Sequence, residues 1–196
     1  MKIKWIGKYN GNNLPVVHVE DSAKVLPSVT TKHTFWLIPI LLFLGFCVYF
    51  KNVILGERVI FTKGTLAIGF LIGIILFPVH EILHAACFPP GSETFLFYTK
   101  QGLGTTCTYP VSRNRFIVVN LLPSVILGLF PLLLYLMIPK EYVSAATILF
   151  AIAFLQVSES YADYINVVHL LRLPAKSTIQ ISGEKIYWRK KGDKET

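Results

Sequence analysis

Four apolar runs decide what this chain can fold into, because a backbone surrounded by hydrocarbon must satisfy its amides within its own segment. They cover residues 35–50 (FWLIPILLFLGFCVYF), 65–88 (TLAIGFLIGIILFPVHEILHAACF), 116–138 and 142–173. A spanning helix needs about 20 predominantly apolar residues. The first run falls a little short and is closed by Lys51 and Asn52, with Thr34 and Trp36 supplying an interfacial end. Only 15% of the 196 residues are charged, against roughly 25% in soluble domains. The predicted fold is an all-α membrane protein of about four transmembrane helices. It divides into a 1–33 N-terminal segment, a 34–174 helical domain and a 175–196 basic tail.

Breakers and turn signals refine this outline. Pro78 deletes a backbone hydrogen bond and is expected to kink the second helix. Pro89-Pro90-Gly91 ends it. The third run is interrupted by Asn120, Pro123, Ser124 and Pro131, and the fourth turns polar at SESYAD. Between the second and third runs, ETFLFY and GTTCTY read as two strands around Lys100-Gln101-Gly102. STIQI and KIYWR around Ser182-Gly183 predict a second hairpin, in the tail. In the N-terminal segment, Asn10-Gly11 marks a turn and Val16-Val17-His18-Val19 a candidate strand.

Charge sets the expected orientation. The formal net charge of +8 invites a nucleic-acid partner, but the basic residues flank the apolar runs, where they read as topology signals and contacts with anionic lipid. With four spans, the N-terminal segment, the loop after the second span and the tail share one face and hold 15 of the 19 basic residues. The positive-inside rule makes that face, and both termini, cytoplasmic. Arg113 and Arg115 read as lipid-facing anchors on it. The three cysteines, Cys47, Cys87 and Cys107, form no framework and predict free thiols in a reducing compartment. No cleavable signal is predicted, since a polar stretch of over thirty residues precedes the first run.

His80-Glu81-Ile82-Leu83-His84 carries the chemistry. On a helix, positions i and i+4 share one face. Two imidazoles can therefore meet one Zn²⁺, while the intervening glutamate takes a proton from the attacking water. An ionisable cluster inside a spanning helix costs about 2.5–3.5 kcal/mol per charge, so a functional site is expected there. A catalytic zinc has three protein ligands and one open position. Glu159 and Asp163, one turn apart on the fourth helix, lie at matching depth, and spacing alone does not choose between them. Asn120 is a candidate hydrogen-bond donor to a developing oxyanion, or a helix-packing amide.

The histidine motif near the end of an apolar helix is followed by a loop with Ser112-Arg113, two further spans, and Ser160-Tyr161-Ala162-Asp163 leading to Leu170-Leu171-Arg172-Leu173-Pro174. In this layout the chain resembles the putative zincin peptidase family of small bacterial membrane proteins, itself similar to the site-2 proteases. The resemblance covers roughly residues 65–185. It implies His80 and His84 as zinc ligands, Glu81 as general base and Asp163, rather than Glu159, as third ligand. The Asn/Pro/Asp-Gly signature of the site-2 proteases is absent around Asp163.

Three functions compete. The first is a membrane-embedded zinc metalloprotease that cuts a membrane protein or peptide within or next to the bilayer. The 93–110 hairpin would then serve either as an edge for an extended substrate or as a plain connection. The second is a metal or proton transporter; against it, the first run offers no polar ligand and the third only Asn120 and Ser124. The third is a non-catalytic metal-binding scaffold.

Overall fold

The apolar runs are helical, and each polar interruption within them has a local cause. The structure is a computed structural model that describes residues 2–100 and 102–190. Gln101 of the first hairpin turn and residues 191–196 of the tail, with Lys191 and Lys194, lie outside the described residues. The chain divides into two units, one of Thr30–His80 and Pro123–Ala162, the other of Met1–Val29, Glu81–Leu122 and Asp163–Thr196. The division falls inside one helix, between His80 and Glu81.

In the first unit, α1 (Leu37–Tyr49) continues through a π-turn over Phe50–Ile54. The helical run His33–Ile54 thus reaches 22 residues. Lys51 does not close it, contrary to expectation. Its side chain is buried, donates to the carbonyls of Ile138 at 2.6 Å and Leu136 at 3.3 Å, and lies 5.4 Å from the centre of the Tyr135 ring. A helix end leaves its last carbonyls without donors, and the ammonium answers that need with its stem packed in the interior.

The second run consists of α2 (Lys63–Ile75) and α3 (Phe77–Ala86), interrupted at Leu76, just ahead of Pro78. Gly69 and Gly73 let α2 approach α6 (Val143–Glu159) closely. A Cβ on Gly69 would stand 2.6 Å from the Ala151 Cβ, and one on Gly73 2.8 Å from a Leu155 methyl. Small residues at this spacing are how helices gain contact where no hydrophobic force drives them together. The third run joins α4 (Arg113–Ser124) to α5 (Phe130–Met137) through a π-turn over Val125–Leu129, between Pro123 and Pro131.

The fourth run is not one helix. It stops at Glu159 and restarts as α7 (Tyr161–Leu171) with a 50° bend. The buried Ser160 hydroxyl donates to the Gln156 carbonyl at 2.8 Å, drawing off an acceptor that the helix ladder uses. Glu159 and Asp163 therefore do not share a face of a continuous helix. Among the described residues, three helical runs are long and apolar enough to cross a membrane, and the bent pair counts as a fourth if taken as one span.

The second unit carries more strand than an all-α chain with hairpin excursions would. β1 (Lys2–Lys8) pairs parallel to β3 (Glu93–Tyr98), which pairs antiparallel to β4 (Leu103–Cys107). A second sheet has the order β2 (Lys24–Val25), β7 (Lys185–Lys190), β6 (Ser177–Ser182), β5 (Val111–Ser112). Both expected hairpins are present, β3–β4 and β6–β7, and the N-terminal segment supplies a strand to each sheet. Residues 16–19 are not a strand. Val17 is bonded through both its amide and its carbonyl to the Ser182 hydroxyl, and Gly183 donates to the Pro15 carbonyl. This segment is thus held by a side chain and a turn rather than by a ladder. Cys87, Phe88, Cys107, Phe116, Val119 and Leu170 form the core beneath the sheets.

Candidate metal centre

The helix α3 sets the first part of the site. His80, Glu81 and His84 have ligand atoms all within 4.8 Å of one another, with both histidines buried and Glu81 half-buried. Burial of two imidazoles at this depth is costly unless their N–H groups are satisfied. Each is, by a different device.

His84 Nδ1 lies 2.7 Å from the Val119 carbonyl of α4. A carbonyl only accepts, so Nδ1 carries the proton, and in a neutral ring Nε2 keeps its lone pair. His80 Nδ1 lies 3.3 Å from Gln156 Oε1. The Gln156 amide is oriented by its nitrogen, which donates to the Gly73 carbonyl at 2.8 Å. Its oxygen must then face His80, so Nδ1 is again the donor. Both rings are thereby set in one tautomer, with Nε2 the atom that would meet a cation.

Asp163 stands at the start of α7, with Oδ2 3.5 Å from His84 Nε2. That is long for a direct N–H···O bond, which runs about 2.7–3.2 Å. It is close to the roughly 3.3 Å that separates two ligands of one tetrahedral zinc at 2.0–2.1 Å each. Asp163 is not in the 4.8 Å group, which Glu81 completes instead. Glu159 is exposed and does not line the cavity. Two imidazole nitrogens with a carboxylate match the donor set of catalytic zinc, so the residues present fit that ion.

A cavity of about 220 Å³ opens on Glu81, His84 and Asp163, walled by Gly104 and Thr105 of β4 and by Ile181 and Ile186 of the second hairpin. The Thr105 hydroxyl donates to the Glu81 carbonyl at 3.0 Å, tying β4 to the motif. Asn120 also lines this cavity, but one amide N–H is engaged by the Phe116 carbonyl at 2.7 Å. Its oxygen accepts from Asn166 Nδ2 at 3.1 Å. Asn166, three residues beyond Asp163 on α7, faces the same cavity. Arg115 Nε donates to the Cys87 carbonyl at 2.7 Å and Arg113 to that of Leu173 at 2.7 Å. Both arginines thus tie loop carbonyls together.

Gln156 and Asn166 are the site residues that sequence reasoning passes over. Each had a signal: Gln156 is an amide in the apolar stretch AIAFLQV, and Asn166 shares the Asp163 face of a helix at i+3.

Fold and site together define a largely helical protein with a His-Glu-x-x-His helix that opens on a sheet-walled cavity. The sequence matches the model of the family described as putative zincin peptidase over residues 73–178, more than half of the chain, and the protein belongs to that family. No curated protein and no solved structure matches it.

Proposed function

We propose that the protein is a zinc metallopeptidase that hydrolyses peptide bonds of a membrane protein or peptide within or next to the bilayer. The observation that carries this reading is the pair of Nδ1 bonds from His80 and His84, which hold both Nε2 atoms as ligands beside Glu81. His80, His84 and Asp163 are the proposed ligands. Zinc, when bound, supplies the Lewis acid that polarises the scissile carbonyl and acidifies a water. Glu81 takes the proton of the attacking water and returns it to the leaving amine.

Substrate shape follows from the walls. An intact helix keeps its backbone carbonyls in its own hydrogen bonds, so the substrate is expected to enter locally unwound. β4 is an edge strand, and Gly104 and Thr105 bring it to the cavity, where an extended segment can pair along it. The distribution of basic residues supports four spans with both termini cytoplasmic and the site opening toward that face.

One observation favours a second reading, a non-catalytic metal scaffold: Glu81 is close enough to both histidines to be a ligand itself. Elemental analysis separates the two. The peptidase reading expects about one zinc per chain in the wild type and in Glu81→Gln, and little in His80→Ala or His84→Ala. Loss of zinc in Glu81→Gln would favour the scaffold, and full zinc in both histidine variants would remove the site altogether.

A further inference from the structure

Val119 lies on α4, and the α-helical donor to its carbonyl would be the amide of residue 123. That residue is Pro123, which has no N–H. The carbonyl that the helix leaves without its axial donor is the one that His84 Nδ1 meets at 2.7 Å. Pro123 is itself fully buried. A helical carbonyl bonded along the axis is held parallel to it and offers a side chain only its outward lone pair. One without that donor tilts outward and gives a side chain its full strength as an acceptor.

We propose that Pro123 is a positioning residue for the metal centre: its missing N–H reserves the Val119 carbonyl for His84 and so fixes the ring with Nε2 as ligand. This rests on the zinc reading above but adds a residue that touches neither metal nor substrate. His80 shows that the need is general, since its Nδ1 is also matched to an acceptor, there a side-chain amide. The two ligands are thus oriented by separate means. For His84 the means is written into the backbone, at a position that otherwise reads as a helix irregularity. Outer partners of metal-bound histidines typically tune affinity by about 10–100-fold. A restored amide would share the Val119 carbonyl rather than remove it, so the lower end of that range is expected.

The test compares zinc affinity by chelator competition in the full-length purified protein, with the visible ligand-field spectrum of the Co²⁺ form as a second readout. Pro123→Ala restores the N–H. An ester-linked lactate at position 123 removes the ring but still lacks the N–H, and Pro131→Ala changes the other proline of the same apolar run. The expected result is a roughly tenfold loss of zinc affinity and a shifted Co²⁺ spectrum in Pro123→Ala, with the ester and Pro131→Ala close to wild type. Wild-type affinity in Pro123→Ala overturns the proposal. So does an ester that loses as much zinc as Pro123→Ala, because the ring rather than the missing donor would then be responsible. Should Pro123→Ala fail to fold, the ester decides alone, since normal zinc binding without the ring supports the proposal and loss overturns it. A wild-type protein that binds no zinc overturns the metal reading itself, a result distinct from all of these.

Discussion

At the scale of single residues, the site depends on which atom of each side chain faces inward. His80 and His84 were legible because their spacing puts them on one helical face. The acceptors that orient them were not, since Gln156 and Val119 lie 76 and 35 positions away. Such partners are brought in by helix packing, which leaves no local pattern. The proposed third ligand shows the same limit: spacing holds Glu159 and Asp163 equivalent, whereas the break at Ser160 takes them off a common helical face. Asp163→Asn keeps the size of the side chain but removes its charge. Zinc affinity should fall sharply, while Glu159→Gln should stay near wild type in a graded chelator titration. Earlier loss of zinc from Glu159→Gln than from Asp163→Asn would reverse the assignment.

At the scale of elements, helix existence followed from apolar runs, whereas helix interruptions followed from single hydrogen bonds. The hairpins were readable because their strands alternate around turn residues. β1 was not, because the alternation of Lys2-Ile3-Lys4-Trp5 is short and breaks at Ile6-Gly7. Its parallel partner lies some ninety residues on in the sequence. The close contact of α2 with α6 makes a sharp prediction. A methyl at Gly69 would meet the Ala151 Cβ at 2.6 Å and the Ile148 carbonyl oxygen at 2.9 Å, neither of which is a flexible side-chain end. Gly69→Ala should destabilise the protein by about 1–3 kcal/mol, seen as a lower thermal midpoint in detergent. Gly64→Ala, on the same helix with open space around it, should be neutral or slightly stabilising. Equal midpoints for both variants would mean that α2 and α6 do not pack through Gly69.

At the scale of the whole molecule, the chain combines helical runs long enough to cross a bilayer with a histidine–glutamate helix that opens on a sheet-walled cavity. Of the 19 basic residues, only Lys51, Arg58, Lys63 and Lys140 lie at the span ends that the proposed topology puts on the outer face, and Lys51 is buried within its helical run. Reporter fusions after residues 60 and 140 should report outside and those after 105 and 190 inside. An outside signal at 105 would place the cavity on the opposite face. The most direct test of the central claim, that Glu81 beside a zinc-bound histidine pair hydrolyses peptide bonds, is a mass-spectrometric census of new protein N-termini. It compares membranes from cells producing the wild type with those producing Glu81→Gln at equal level and equal zinc content. The account predicts N-termini that are present with the wild type and missing with Glu81→Gln, matched by accumulation of the uncut membrane proteins. Identical sets of N-termini in the two membranes would contradict it.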